Sequence, residues 1–492
     1  MADFGFVGTS YTAPSIYQDD QECINFFAEI DPTKQAGERG IVALYPTPGL
    51  TLQTQLANAE VRGLHTMSGE QILIAVAGNI VYQVNLYMTA TQIGTLTTST
   101  GQVSISDNIT NADGLIAYIV DGPNRYTWVV ATNTFSTLPI TDGPWQGASV
   151  VDVIDNYNIY NEPNTQNWAC TDLGSRLSTQ ALYGTSDGSS DLLVTLIADR
   201  RQVYLMGETT TEVWTDVGNV IAGITTFPFQ RVPGTFSQTG CGAKYSLARF
   251  ADSFVIVAKD TRGNSTIEMM QGYAWLKIST HAVEQSLLNQ VVSDAVAYTY
   301  QIQGHEMYVV TFPSIGQYGL TWVYDLSTKS WHKWLSWDSA ASVYKRHRSN
   351  CGAYFANMYI VGDYQNGKLY SLENEVYTDD GATIRRLRRA KHLTTDLQRQ
   401  YFEEFQIQFQ PGVGLNTGQG QDPQAMLRWS NDGGSTFSNE HWVTIGKIGQ
   451  YQNRAIWRRL GWSRDRIFEV AISDPIKAVV VSANLKSSAG DN

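Results

Sequence analysis

Through its middle, the chain repeats one pattern: an apolar, aromatic-rich run, a polar turn, then a second apolar run. The pattern appears at residues 71–84 (QILIAVAGNIVYQV), 114–130 (GLIAYIVDGPNRYTWVV) and 151–168, and returns at 202–214, 253–276, 306–334 and 357–372. Such runs, bounded by turn residues, read as buried or half-buried strands. Successive units begin about 40 to 53 residues apart, the spacing of a four-stranded β-propeller blade. A single blade cannot bury both faces, so blades must stack in a ring. About seven units can be counted, and a ring of six or eight is compatible with repeats this degenerate. A tandem of unrelated β-sandwiches would leave a similar texture.

The texture changes after residue 375. TIRRLRRAK (383–391) alternates basic and apolar residues, FEEFQIQFQ (402–410) alternates from Phe405 onward, and 412–421 is a Gly/Gln/Asn-rich loop. Further strand-like runs follow at 425–430, 442–445, 455–460, 467–472 and 477–485. The expected fold is therefore all-β: a propeller of six to eight blades over 51–375 and an antiparallel β-sandwich-like docking domain over 376–492. Residues 1–50 carry too few blade signals and are expected to pack with the C-terminal domain. Helix is scarce, with 282–289 the best short candidate.

Composition agrees with this pattern. Gly (42 of 492 residues) and aromatic residues (11%) are plentiful while charged residues are few (16%), as suits many strands joined by tight turns. The net charge of −12 is unevenly spread: residues 384–492 hold 15 Lys/Arg against 10 Asp/Glu, and residues 1–383 hold 19 against 36. An acidic body does not bind nucleic acid by counterion release, although DNA could pass along it without adhering. The basic C-terminal part is expected to dock on something acidic, most simply a neighbouring subunit. Cys23, Cys170, Cys241 and Cys351 lie too far apart for a metal or disulfide framework and read as reduced thiols. The N-terminus lacks the features of an export signal, and no apolar run is long enough to span a bilayer.

The motifs read as structural. In GLTWVYDLSTKSWHKW (319–334), Trp322 and Tyr324 share a strand face, Asp325 opens a turn through Ser327 and Thr328, and Trp331 begins the return strand, as in kelch-like blades. SNDGGSTF (430–437) matches the Asp-box S-x-D-x-G-x-T-[FW], which predicts a turn capped by Asp432, with Gly434 left-handed and Phe437 plugging the sheet. Asp-boxes occur in sialidases as a hairpin brace remote from catalysis. The run Arg385-Arg386-x-Arg388-Arg389-x-Lys391 reads as a basic face of a solvated or interface strand, ahead of a nucleic-acid patch. Arg454, Arg458, Arg459, Arg464 and Arg466, interleaved with Trp457, Leu460 and Trp462, read as a docking or packing surface, since Arg and Trp are favoured at interfaces. The seven histidines show no metal-ligand spacing, and no nucleophile elbow or phosphate loop appears. Neither a metal, a cofactor nor catalysis is expected.

Several stretches together resemble the packaged-DNA stabilisation proteins (tail hub or nozzle) of short-tailed bacteriophages. They are Gly8-x-Ser10-Tyr11; Gln21-x-Cys23-x-Asn25-x-x-x-Glu29; Pro46-Thr47-Pro48-Gly49-Leu50; Gly240-Cys241; Ile278-Ser279-Thr280-x-Ala282-x-Glu284; Gln303-Gly304-His305-x-x-Tyr308; and, at the C-terminal end, SNDGGSTF and GQYQNRAIWRRLGWSRDRIFEVAISDP. The resemblance implies a homohexameric ring below the portal and its adaptor that closes the DNA exit channel, retains the genome and conducts it during ejection. It implies a virion protein assembled in the host cytoplasm, with portal and adaptor proteins above and a tail needle, fibres or tailspikes as further partners. It also implies double-stranded DNA passing without sequence-specific binding. If a loop forms the gate, the segment FPFQRVPGTF with Phe227, Phe229 and Phe236 is a candidate. The rival reading is a glycan-active or glycan-binding propeller, such as a sialidase-like hydrolase or host-recognition tail protein.

Overall fold

Residues 61–95 show how a repeat becomes a blade. Strands Val61–Thr66, Ile72–Ala77, Ile80–Asn85 and Ala90–Thr95 pair in sequence order as an antiparallel sheet. The second strand, ILIAVA, is buried along nearly its whole length. Its run is continuously apolar because neighbouring blades cover both of its faces. This is a computed structural model describing residues 2–31, 33–34, 41–218, 220–221, 224–259 and 262–490.

The same four-stranded order recurs at 104–137, 151–185, 193–231 and 296–333. In the fifth blade (240–277), the innermost place is shared by Gly240–Cys241 and Ala248–Phe250, which both pair with Ser253–Lys259. The seventh blade draws only three strands from its own stretch, Ser349–Phe355, Met358–Asp363 and Lys368–Glu373. Its fourth is Gly49–Gln55, laid antiparallel to Lys368–Glu373, so the two ends of the propeller sequence close the ring within one sheet. Gly367 makes this closure possible. Its φ is +70°, and a Cβ there would lie 1.8 Å from the Ala57 carbonyl oxygen. Seven apolar clusters fill the seven junctions, from Val76–Trp128 between blades 1 and 2 round to Leu73–Ile360 between blades 7 and 1. Each fully buried Leu, Val or Phe contributes about 1.5–3 kcal/mol relative to exposure.

In blade 6, Leu320–Asp325 and Ser330–Lys333 form the Trp-bearing hairpin. The Asp325 carboxylate accepts from the Ser327 amide (2.9 Å) and the Thr328 hydroxyl (2.7 Å), which fixes the turn. Trp331 is buried against blade 5, its indole donating to the Ile278 carbonyl (2.8 Å). The one α-helix among the described residues, His281–Leu287, lies between blades 5 and 6 and buries Val283 and Leu287.

Both ends of the chain build the β-sandwich. One sheet runs Phe26–Ile30, Val42–Pro46, Val480–Ala489, Gln400–Phe409, Ala455–Arg458. The other runs Asp20–Ile24, Arg386–Arg389, Asp465–Ile472, Gln424–Ser430, His441–Thr444. Phe6, Phe402, Phe405, Trp457 and Phe468 fill the space between them, with the Phe405 and Phe468 rings stacked at 4.9 Å. The second sheet continues into blade 6, because Ile24 pairs in parallel with Lys333. Sandwich and propeller therefore share a sheet.

Candidate assembly surfaces

The seam between the two bodies is knotted by polar side chains that the N-terminal segment carries inward. Asn25, at φ +59°, donates to the Leu335 and Arg385 carbonyls and accepts from the Leu335 amide, each at 2.8 Å. One buried amide thus joins the N-terminal segment, the exit of blade 6 and the entry to the sandwich. Ser10 brackets Cys23 in a similar way, accepting from its amide at 2.7 Å and donating to its carbonyl at 3.1 Å. His305 of blade 6 reaches out to the sandwich: Nδ1–H donates to Asp325 (2.8 Å) and Nε2–H to Glu29. The hydrogen bond to Asp325, outweighing burial and reinforced by Glu29, raises the imidazole to about 8. Two carboxylate acceptors leave it room only as an imidazolium. Nearby, burial pushes the Asp379 carboxyl up to about 7 against the pull of Arg348 and Arg386.

The basic run at 385–391 proves to be an interior strand. Arg386–Arg389 lies between Asp20–Ile24 and Asp465–Ile472, so hydrogen bonding occupies both of its edges. Arg386 and Arg388 are fully buried. Arg388 donates to the Phe6, Thr9 and Glu22 carbonyls and to Gln21 Oε1 (2.7 Å), clamping the N-terminal arm. Arg389 bridges Asp20 (2.7 Å) and Glu469 (2.8 Å), and Arg385 pairs with Glu440 (2.7 Å). The expectation of a solvated or interface face at Arg385 and Arg386 is thereby corrected: Arg385 pairs within its own chain, and Arg386 is buried with one bond to the Asp474 carbonyl (3.4 Å) and its guanidinium over the Tyr377 ring (5.6 Å).

The second cluster divides by strand alternation. Ala455 and Trp457 point into the sandwich, where Trp457 is 4% exposed, stacks on Phe405 and donates to the His441 carbonyl (2.8 Å). Trp457 therefore belongs to the core and offers nothing to a partner. Arg454, Arg458, Arg459, Arg464 and Trp462 are exposed, whereas Arg466 is buried and donates to the Leu460 carbonyl, which corrects the surface reading for it. Trp462 is 49% exposed beside its strand partner Tyr401 (42%), with the Arg399 guanidinium 4.3 Å from its ring centre. Arg458 pairs with Glu404 (2.9 Å) and Lys486 with Glu403 (2.5 Å) on the same outer face. Ala455–Arg458 is the open edge of its sheet.

The proposed gate segment is mostly blade. Phe229 begins the outer strand of blade 4 (Phe229–Arg231) and is 5% exposed, 5.1 Å from Trp168 and 5.7 Å from Tyr157. Phe227 packs on the same Trp168 at 5.0 Å. Neither can swing into a channel without unpacking blades 3 and 4, which corrects the expectation for both. Phe236 alone is exposed, at 44%. Residues 219, 222 and 223 of the 217–241 stretch lie outside the described residues.

The propeller axis is not a conduit either. Inner strands of all seven blades enclose a cavity of about 270 Å³, the liquid volume of roughly nine waters. Near one end, Tyr245 reaches from blade 5 past blade 4 to donate to the Ser149 carbonyl (3.1 Å). Farther along the same blade, Arg249 pairs with Asp152 (3.0 Å). No nucleic-acid strand threads such a space.

The Asp-box turn sits in the sandwich. Asp432 accepts from the Thr436 amide (2.9 Å) and the Ser430 hydroxyl (2.6 Å), and hydrogen bonds from Ser430 and then Thr436 hold its carboxyl down at about 2. Gly434 takes φ +94°. Phe437 does not plug the sheet: it lies half-buried between the guanidiniums of Arg389 (4.9 Å) and Arg428 (4.6 Å). The four cysteines are free thiols; Cys23, Cys170 and Cys241 are buried and Cys351 is half-buried. Among the described residues, no helix is long and apolar enough to cross a membrane.

Comparison with known families decides what this architecture is. The β-propeller model of bacteriophage P22 Gp10 matches residues 16–377, and the β-sandwich model of the same protein matches residues 385–488. The chain belongs to the bacteriophage P22 Gp10 family. It is a phage structural protein and a component of the virion. No curated protein matches the chain. Among solved structures, a chain of the "Crystal Structure of Mitotic Checkpoint Complex" aligns over 70% of this chain and 97% of its own at 12% identity, with a TM-score of 0.41, too low to carry any argument.

Within this Gp10-family chain, several of the residues that carried the sequence resemblance fall on the seam. Gln21, Asn25, Glu29 and His305 join propeller to sandwich or N-terminus to C-terminus, Cys23 pairs with Arg388 across adjacent strands, and Ser10 holds Cys23 from within the N-terminal segment. Sequence reasoning missed Arg388 as a clamp and Tyr245 as the axial plug. Strand alternation around Leu387 pointed the wrong way for the first, since Arg388 and not Leu387 shares the face of Cys23 and Val470, and the second had no signal.

Proposed function

We propose that this Gp10-family protein is the hub or nozzle of a short-tailed phage tail, a homohexameric ring below the portal and adaptor that closes the DNA exit channel, retains the genome and conducts it during ejection. The observation that carries this reading is the match of both Gp10 domains, in order, over nearly the whole chain. The division of labour we propose is a propeller over 51–375 and a docking domain over 376–492 completed by residues 1–50. Because the propeller axis is plugged, the DNA path must run outside the individual chain, along a surface that several copies enclose. An acidic body suits such a path, since carboxylates repel passing phosphate. Portal and adaptor proteins, a needle, and fibres or tailspikes are the partners this role requires, with assembly in the host cytoplasm.

The test is the mass of the purified protein, alone and mixed with its portal–adaptor complex, by native mass spectrometry. Six copies bound per portal–adaptor assembly are expected. A chain that ignores the portal–adaptor would refute the hub reading.

A further inference from the structure

Charge does not balance around the cavity on the propeller axis. Its wall carries three cations, Arg62, Lys244 and Arg249, against one carboxylate, Asp152. Two of the cations are answered from within the chain. Arg249 pairs with Asp152 (3.0 Å) and Asp199 (3.7 Å). Arg62 directs every N–H of its guanidinium at the carbonyls of Gly78, Thr98, Thr100 and Gly101 or at the Thr98 hydroxyl. Lys244 is left over. Its Nζ lies 6.0 Å from the centre of the Tyr245 ring, and among the described residues neither a hydrogen bond nor an ion pair holds it.

Burial lowers the pKa of this ammonium, and the one titratable group that pulls against burial is the Cys241 thiol. Burial pushes that thiol up to about 11, so it carries no charge at neutral pH. A cation withdrawn from water without a counter-ion is costly. On the adjoining blade 4, Thr195 lines the same cavity, is 1% exposed, and has a buried hydroxyl without a hydrogen-bond partner. An ammonium only donates, and a hydroxyl without a partner has a proton to donate. What the two lack in common is an acceptor.

We propose that the axial cavity is an anion site, in which a small inorganic anion neutralises the Lys244 ammonium and accepts from the Thr195 hydroxyl on the adjoining blade. Water would accept from both groups but would leave the charge uncancelled, and that is why the occupant is an anion. A cavity of about 270 Å³ takes a halide or a tetrahedral oxyanion together with several waters. Lys244 is half-buried, so its end of the cavity is within reach of solvent. An ion shared by the inner segments of blades 4 and 5 ties one junction of the ring from its axis. Because the unfolded chain offers no such site, the anion stabilises the folded propeller by mass action. The site goes beyond the hub reading and stands or falls apart from it.

The test uses the full chain with two variants. Lys244→Met keeps the aliphatic stem and removes the charge, and Thr195→Val keeps the shape and removes the hydroxyl; circular dichroism checks that each folds. Crystals of the wild type soaked in bromide should show an anomalous peak beside Lys244 Nζ, or crystals soaked in inorganic phosphate should show tetrahedral density there. In solution, with gluconate holding the ionic strength constant, bromide or phosphate should raise the melting midpoint and saturate, with half-saturation at or below about 10 mM. Lys244→Met should lose that saturable rise, and Thr195→Val should need at least about threefold more anion to reach it. Saturation by one of the two anions alone supports the site and names the kind of anion it takes. A cavity that holds only water in both soaks would overturn the proposal, as would a stabilisation that Lys244→Met keeps in full. A peak that appears only at molar bromide, without saturable stabilisation, is an adventitious ion only and overturns it too. Should Lys244→Met fail to fold, the soaked crystals and the Thr195→Val titration decide: an unmoved half-saturation with an empty Lys244 overturns the site.

Discussion

Replacing Arg388 by Met tests whether the buried guanidinium, more than hydrophobic packing, holds the N-terminal arm. Met keeps most of the apolar stem and removes every donor. Four hydrogen bonds vanish, three of them to main-chain carbonyls of Phe6, Thr9 and Glu22 that have little access to water. Bonds to a charged donor contribute about 1.5–3 kcal/mol each, so the gross loss is about 6 kcal/mol at the low end. Against that, burial alone has pushed the Arg388 guanidinium down to about 10, so removing the cation recovers part of its desolvation. At 1.36 kcal/mol per unit, that recovery is about 3 kcal/mol. The net cost is then about 3 kcal/mol, or roughly 6–12 °C in the melting of a domain of this size. Urea unfolding followed by tryptophan fluorescence reads the loss, and chymotrypsin should now cut at Phe4, Phe6 or Tyr11. A change below about 1 kcal/mol with the arm still protected would refute the clamp.

Other substitutions probe the seam, the blades and the closure. His305, raised above the ordinary histidine value, stabilises the fold when protonated: its contribution of about 2 kcal/mol is full below about pH 6.5 and fades as pH rises through about 8. His305→Gln should flatten that dependence in urea midpoints compared across this range. Phe229→Ala should cost about 3–5 kcal/mol in thermal or urea unfolding, whereas Phe236→Ala should stay within about 0.5 kcal/mol for the isolated chain. Gly367→Ala places a Cβ 1.8 Å from the Ala57 carbonyl at a left-handed φ, and should prevent ring closure, with a loss beyond about 4 kcal/mol and little soluble protein.

The sandwich–propeller seam explains why surface reading of basic runs misled. TIRRLRRAK looks solvated because nothing within the run reveals its neighbours. Those neighbours are Asp20–Ile24, more than 360 residues earlier, and Asp465–Ile472, about 80 later. Their backbones occupy both edges, while Gln21, Asp20 and Glu469 meet the guanidiniums. Burying charge is costly unless the donors find acceptors, and those of Arg388 and Arg389 exist only once both ends of the chain meet. Phe227 and Phe229 misled for a similar reason: a Gly/Pro-rich segment reads as a loop, but pairing with Thr211–Asp216 makes part of it the outer strand of blade 4.

What the sequence determined by itself is what local periodicity can encode. Alternating or continuous apolar runs, bounded by turns at blade spacing, specify strands that need cover on both faces, and hence a propeller with a separate β domain. Trp457 and Arg458, read together as one surface, were divided only by the folded strand. The tertiary structure alone decided how the ring closes, which basic residues are interior and which remain exposed, and that the axis is plugged. All three depend on contacts between residues tens to hundreds of positions apart: Gly49–Gln55 on Lys368–Glu373, Arg388 on Phe6, Tyr245 on Ser149. A strand's pattern states that it needs a partner, and only the folded chain supplies which one.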